Sequence, residues 1–424
     1  MRWRLRPLEL GLLLFPAVYA AGAAAILGAE WPWWAVVPGA ALAASVALGV
    51  GLGRGDRVVL PIAAMLAAIG TVTVARLEPA LLADPMVPGA LLPRHLVSVA
   101  TGFAVLAGVA VLVRPDWIRR YTYTWMALAV ALLLAALVFG EEIRGARLWL
   151  RIGPVQVQPS EIMRLALVVW LAGYLDRRRE LVGAAAGVGT AAALPYLAPI
   201  GVVGAASVAV LVLQNDLGTA LLLFGVALAM LYAATGRGTY VALGAGTFAV
   251  AAWVAGSAVG RLAIRAQNWF DPWRDPLASG YQQVQSEYAL AAGGLFGVGL
   301  GRGMPQAIPD VQTDFVLAAI GEEQGFVGVA VVLALLFLLV WRAVIVAMRA
   351  PDGFGRLLAV GLGAAFGVQA LLIAGGVLRL LPLTGLTVPF VSYGGSAMVT
   401  NMAAAGLLLA VSRTSTGRTS ARSP

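Results

Sequence analysis

Apolar runs of about 17 to 25 residues, the length that crosses a hydrocarbon core of roughly 30 Å, recur along this chain between short charged or Pro/Gly-rich breaks. Twelve such runs stand out, near 8–28, 33–53, 57–76, 95–113, 121–139, 160–176, 196–213, 217–235, 239–258, 313–341, 356–379 and 386–412. None alternates with period two over its length, so each is predicted to be a helix. The stretch 183–195, small and apolar, reads either as an inner loop or as part of a longer helix. The basic start and apolar run of MRWRLRPLELGLLLFPAVYA resemble a signal peptide. The acid within it and the lack of a small-x-small cleavage site predict a retained first helix instead.

Arginines mark the sides of the membrane. With the N-terminus inside, the inner breaks hold most of them, including Arg54, Arg57, Arg114, Arg119, Arg120, Arg177, Arg178, Arg179, Arg342 and Arg349, and both ends of the chain fall on that arginine-rich, cytoplasmic side. Arg76, Arg94, Arg144, Arg147, Arg151, Arg261, Arg265, Arg274, Arg302 and Arg379 fall outside, where orientation gives no reason for them. Most of these flank two outer segments, 140–159 and 259–312. The second is the longest break in the chain, and its Trp, Tyr and Phe content marks it as ordered and functional rather than a slack linker. No fixed-period repeat or soluble domain appears, and 413–424 is predicted to be a disordered cytoplasmic tail.

Composition agrees with a bilayer as solvent: 61% of residues are hydrophobic, 12% are charged, and the mean hydropathy is +0.89. The expected architecture is therefore an all-α polytopic bundle of about twelve helices with a large extracytoplasmic loop. No cysteine is present, which excludes disulfides, thiolate nucleophiles and Cys-based metal sites, and the lone His95 cannot supply a His-rich one. A net charge of +9 suits nucleic acid in a soluble protein, but here the arginines serve topology.

Candidate chemistry concentrates outside. Asp271 and Asp275 each precede a proline, which pushes the aspartate out of the α region onto bent backbone. Flanked by Arg265, Arg274 and aromatic rings, such a carboxylate suits a general base, while the plainer reading has both acids capping short turns. The run AAGGLFGVGLGRGMP could bring backbone N–H groups to a phosphate, or simply let helices pack closely. Glu161 and Arg164, spaced i to i+3, are expected to pair on one helix face. Asp216 and Asp314 read as helix caps, as does Ser160, and Glu322 and Glu323 are acids set within an apolar span. Trp149 lies between Arg147 and Arg151, a pattern that suits a membrane-level anchor or a surface meeting a sugar diphosphate. Pro389 and the Gly394–Gly395 pair break the last apolar run, which predicts an irregular segment beside an outward-facing cavity.

Six stretches, GARLWLRIGPVQVQPSE, QNDLGTA, FDPWRDPLASGYQQVQS, GGLFGVGLGRG, TDFVLAAIGEEQGFVG and GLTVPFVSYGGS, spread over 145–396, together resemble the SEDS family (shape, elongation, division and sporulation). The PLTGLT wording is closest to its RodA branch. That resemblance implies a ten-helix core over 57–412 with two additional helices in 1–56. It also implies a bacterial plasma-membrane enzyme that polymerises lipid II, an undecaprenyl-diphosphate-linked disaccharide-pentapeptide, into glycan strands during elongation. A class B penicillin-binding protein is the implied crosslinking partner. The family's essential aspartate falls on Asp275, with Asp271 in a more variable position, and the motif tryptophan falls on Trp149. Substrate-binding candidates are then Trp149, Arg147, Arg265, Arg76, Arg379, Asp271, Gln282, Ser286 and Ser392. Glu161, Arg164, Asp216 and Asp314 take structural roles. The identity of any metal is open, with Mg²⁺ or Mn²⁺ between carboxylate and diphosphate as the expectation. The chain departs from the family pattern at Arg164 in place of lysine, Gln312 in place of histidine and Pro309-Asp310 in place of Pro-Glu. A lipid II flippase and a non-catalytic scaffold are the rival readings. A flippase needs a polar path through the whole bilayer, whereas these polar groups mass on one side.

Overall fold

The computed structural model describes residues 7–51, 55–82, 89–143, 146–153, 155–188, 190–214, 216–258 and 260–417. Almost every apolar run becomes a helix because a backbone in lipid must satisfy its polar groups within its own segment. From the N-terminus these are α1 (Pro7–Leu12), α2 (Leu14–Ile26), α3 (Val36–Gly51), α4 (Val59–Leu81), α5 (Leu91–Leu112), α6 (Pro115–Arg120) and α7 (Thr122–Phe139). After a short sheet come α8 (Pro159–Val188), α9 (Thr190–Leu213), α10 (Leu217–Thr235), α11 (Gly238–Ala258), α12 (Gly260–Phe270) and α13 (Tyr281–Gly293). The chain closes with α14 (Val316–Arg349), α15 (Gly353–Val377) and α16 (Gly395–Gly417). Among the described residues eight helical segments are long and apolar enough to cross a membrane: α1 and α2 taken together (Leu8–Ile26), α4, α5, α7, α10, α14, α15 and α16.

The purely helical expectation fails between α7 and α8. There β1 (Glu141–Ile143), β2 (Ala146–Ile152) and β3 (Val155–Val157) form a three-stranded antiparallel meander. In β2 apolar Leu148 and Leu150 alternate with Trp149 and Arg151, a period of two that a strand satisfies and a helix does not. At the other end, α16 continues to Gly417, so the expected tail is helical as far as the description reaches.

The chain divides into two compact units. The first comprises 1–111, 256–339 and 369–406. Its centre is α4, where every side chain from Val59 to Ala64 is buried. Close approach there needs glycine: a Cβ on Gly70 would stand 2.2 Å from the Val391 carbonyl oxygen, and one on Gly102 would stand 2.9 Å from Met402. In this unit α14 is kinked at Gly325 (φ 69°, ψ −169°), which leaves carbonyls of the preceding turn without helical donors. The glycine-rich run fills the gap. Val298 and Gly299 donate to the carbonyls of Glu322 and Glu323 at 2.9 and 3.0 Å, while Phe326 and Val327 donate back to Gly294 and Leu295. A Cβ on Gly293 would lie 1.9 Å from the Gly321 oxygen, and one on Gly297 would lie 2.2 Å from the Glu323 oxygen. The glycines therefore serve backbone packing, and the N–H groups of Val298 and Gly299 are committed to α14 rather than open to a phosphate.

The second unit comprises 112–255, 340–368 and 407–424. Small residues again set its spacing, with Gly361 against Val168 and Met230 and Gly173 against Thr122. Glu161 and Arg164 pair at 2.8 Å on α8 with 10% and 4% of their side chains exposed. Removing one partner of so buried a pair costs about 3–5 kcal/mol, because the other charge is left uncompensated. Asp216 caps α10 by accepting from the Thr219 N–H at 3.1 Å.

Candidate active site

The segment expected as a long outer loop is folded. After α12 the chain turns through Asp271, a single 3₁₀ turn over Pro272–Arg274, and Asp275 before entering α13. Both aspartates sit on non-helical backbone (φ −148°, ψ 84° and φ −142°, ψ 69°), away from the α region that the prolines after them disfavour. Asp271 is exposed and Asp275 partly so.

Asp275 is held by the residues just C-terminal to it. Its carboxylate accepts from the Ser279 N–H at 3.1 Å, and its carbonyl accepts from the Gly280 N–H at 2.9 Å. The Ser279 backbone N–H, and after it the Ser279 hydroxyl, hold this carboxyl below the ordinary 3.8, because both favour the charged form. Ser279 is in turn fixed to α12: Asn268 Nδ2 donates to its carbonyl at 2.6 Å, and the Ser279 hydroxyl donates to Asn268 Oδ1 at 3.3 Å. Arg265 lies three residues before Asn268 on α12, a spacing that puts both on one helix face. Gly280 closes the turn against the carbonyl oxygen of Pro272, where a Cβ would be 2.1 Å away.

A second set of contacts ties this turn to the end of α15. Trp273 Nε1 donates to Glu287 Oε2 at 3.1 Å, Arg379 Nη1 donates to Glu287 Oε1 at 3.0 Å, and Trp269 Nε1 donates to the Arg379 carbonyl at 3.2 Å. Trp273, Ser279 and Gly280 fall within the family-like stretch FDPWRDPLASGYQQVQS, but neither their contacts nor those of Asn268, Trp269 and Glu287 were singled out by the local sequence pattern.

The remaining candidates of this unit divide by what already engages them. Arg76 donates to Glu323 at 2.8 Å and to the Gly303 carbonyl at 2.8 Å, while Glu322 accepts from the Met304 N–H at 2.7 Å, so Arg76 and both acids brace the glycine-rich run. Gln282 donates to the Pro309 carbonyl at 2.8 Å. Ser392 donates to the Thr313 carbonyl at 2.6 Å and accepts from the Val388 N–H at 2.8 Å, which stitches the broken segment before α16 to the turn before α14. Asp314 sits in that turn, its amide donating to the Asp310 carbonyl at 3.1 Å. Ser286 is fully buried, and its hydroxyl has no partner among the described residues. Arg265 likewise has no hydrogen-bond or ion-pair partner among them, which leaves its guanidinium open to an anion. Trp149 and Arg147 belong to β2 in the other unit, where Trp149 is partly exposed. No cluster of three or more carboxylate or histidine groups is found among the described residues, so these residues offer no oxygen cage of their own for Mg²⁺ or Mn²⁺.

Residues 56–417 match the family model described as cell cycle protein, built on FtsW, RodA and SpoVE sequences. The peptidoglycan glycosyltransferase RodA of Mycobacterium tuberculosis is 36% identical over 369 residues, covering 84% of this chain and 78% of that protein. Stage V sporulation protein E of Bacillus subtilis is 34% identical over 319 residues, covering 74% and 84%. Among solved structures, a chain described under structural coordination of polymerization and crosslinking by a peptidoglycan synthase complex superposes with a TM-score of 0.70 at 29% identity, over 86% of this chain and 99% of that one. The rod shape determining protein RodA of Thermus thermophilus gives a TM-score of 0.57 at 29% identity, over 85% and 97%.

Proposed function

The chain belongs to the FtsW, RodA and SpoVE family of multi-pass bacterial membrane proteins, and on that premise we propose that it is a peptidoglycan glycosyltransferase that polymerises lipid II during cell-wall elongation. The observation that carries the mechanism is Asp275, partly exposed, with its carboxylate accepting from the Ser279 N–H and its backbone carbonyl accepting from the Gly280 N–H.

As the acceptor sugar's 4-hydroxyl oxygen attacks the donor's anomeric carbon, Asp275 takes the hydroxyl proton. The bond from that carbon to the diphosphate breaks, the configuration inverts, and undecaprenyl diphosphate departs with the bonding pair. Negative charge on the leaving group grows in the transition state, and Arg265, which no described residue engages and which shares a face of α12 with Asn268, is the cation assigned to meet it. Arg76 and Arg379 reach the diphosphate only where it displaces their glutamates. Arg147 and Trp149 stand as substrate-binding candidates on the family resemblance alone, as do Asp271, Gln282, Ser286 and Ser392. A Mg²⁺ or Mn²⁺ is expected to arrive with the diphosphate, and no step here runs through it.

The lipid anchors confine both substrates to one plane, so the chief task left to the protein is alignment. In this reading α3, α8, α9 and α11 cross the membrane along with the eight apolar segments named above. Both chain ends are then cytoplasmic, and 140–159 and 259–312 lie outside. A class B penicillin-binding protein crosslinks the product. The test is polymerisation of lipid II by the purified chain with divalent cation, with and without a catalytically dead partner. The wild type makes glycan strands and Asp275→Asn makes none; strands from the Asn variant would remove this aspartate from the mechanism.

A further inference from the structure

We propose that Glu287 is a positioning residue for the transfer and that Arg379 is the anchor through which it acts, an inference that rests on the reading of Asp275 as the base. The turn bearing Asp275 is held at its far end by Ser279 and Gly280, while its near end, Pro272–Arg274, has a single side-chain tether among the described residues, the indole N–H of Trp273. That N–H ends on Glu287, nearly two turns into α13, and the Trp273 ring also meets Tyr288 edge-on with centroids 5.5 Å apart. Glu287 divides its two carboxylate oxygens, one to Trp273 and one to Arg379. Its position is therefore set by the end of α15 and not only by its own helix.

The backbone of Arg379 argues that this contact has a purpose. At φ 55° it is one of three non-glycine residues in the left-handed region among those described, at the end of α15 where the Leu380 and Leu381 amides turn back to the Gly375 carbonyl. Helices commonly finish in this conformation, and glycine takes it without a Cβ penalty. An arginine bears that strain here while its carbonyl receives Trp269 from α12 and its guanidinium receives Glu287 from α13. One residue thus fixes the helices on both sides of the Asp271–Asp275 turn. Gln283, donating to the Val377 carbonyl at 3.4 Å, adds a weaker tie between α13 and the same helix end. The ion pair itself is 36% and 28% exposed, and pairs so exposed add little to stability. Its use is geometric.

The test takes the full-length chain in lipid nanodiscs and compares Glu287→Ala, Trp273→Phe, their double variant and Arg379→Gly. Two measurements are made: amide hydrogen exchange of peptides covering 271–280, and initial rates of lipid II polymerisation. Glu287→Ala is expected to speed exchange in that turn and to lower kcat about tenfold, with KM for lipid II held within about twofold, since a misplaced base harms the chemical step more than binding. Trp273→Phe keeps the ring and removes the N–H, so the double variant should be no worse than Glu287→Ala alone. Arg379→Gly keeps the left-handed backbone without strain, so it should fold at least as well as the wild type and still lose turn protection and kcat. Unchanged exchange in 271–280 on Glu287→Ala, a loss confined to KM, or fully additive effects of the two substitutions would each overturn the brace. Should the wild-type chain itself make no glycan, the function reading fails, and the exchange measurement still decides whether Glu287 holds the turn.

Discussion

Adding one methyl group at Gly280 tests whether the Asp275 turn needs its observed shape. An alanine Cβ there would stand 2.1 Å from the Pro272 carbonyl oxygen and 3.0 Å from that of Asp275, both of them backbone atoms that no rotamer change can move. Ordinary contact begins near 3.4 Å, so the Pro272 side of the turn must retreat by 3.4 − 2.1, or about 1.3 Å. A displacement of about 1 Å at a reacting group costs on the order of 100-fold in rate, close to 2.7 kcal/mol of transition-state stabilisation. The dihedrals at Gly280 (φ −86°, ψ −10°) suit alanine, and entering a helix with alanine in place of glycine favours the fold by about 0.4–1 kcal/mol. That gain offsets part of the cost of the clash, about 1–3 kcal/mol for overpacking, so the variant is expected to stay folded while activity falls. The assay is single-turnover polymerisation of lipid II by purified Gly280→Ala, with thermal unfolding in the same detergent to establish that the variant is folded. A variant that is folded and polymerises within about threefold of wild type would refute the claim that this turn must place Asp275 as it does.

The same contacts set further expectations. Because Ser279 holds the Asp275 carboxyl below 3.8, the base form is present above that lowered value and lost only as pH falls through it. The acid limb of kcat/KM due to this group should therefore be absent across about pH 5–8, and a limb near pH 6 that vanishes in Asp275→Asn would contradict the assignment. Glu323→Gln leaves Arg76 facing Gly303 without its counter-charge; with Arg76 14% and Glu323 5% exposed, unfolding measured in detergent should become easier by about 3 kcal/mol. Gly293→Ala places a Cβ 1.9 Å from the Gly321 oxygen across the kink of α14, so it should reduce the yield of folded protein, whereas Gly246→Ala, which meets nothing within 4 Å, should not.

The membrane helices were legible because the bilayer imposes a length and an apolar composition that local sequence must display. The boundaries were less so. α8 runs on through the small apolar residues to Val188 and α14 to Arg349, since nothing in 177–188 or 342–349 terminates a helix that neighbouring protein supports. The β2 strand was hidden by its own side chains: Arg147, Trp149 and Arg151 drew attention as headgroup or phosphate chemistry, while their period of two is equally the signature of a strand. The kink at Gly325 was hidden for a different reason. A lone glycine in an apolar run looks like packing, and its meaning rests on a partner backbone at 294–299 that only the fold brings near.

Charges show where legibility ends. Glu161 and Arg164 lie three residues apart, so the helical repeat alone makes their pairing readable. Arg76 and Glu323 are separated by 247 residues, and Arg379 and Glu287 by 92. No periodicity links such positions. The sequence does disclose arginines beside the segments 140–159 and 259–312, and it is tempting to count each as an anion ligand. Once folded, however, two of the arginines suited to a diphosphate are already neutralised by glutamates that the sequence presents as unrelated, Arg76 bracing the glycine-rich run and Arg379 tied to the Asp271–Asp275 turn through Glu287. Arg265 is set apart from them by lacking a partner among the described residues, a property of the tertiary structure that no motif encodes. Anion-binding capacity therefore depends on which cations the fold leaves unpaired rather than on how many the sequence supplies, and a diphosphate that reached Arg379 would have to compete with Glu287 and so loosen the turn that holds the base.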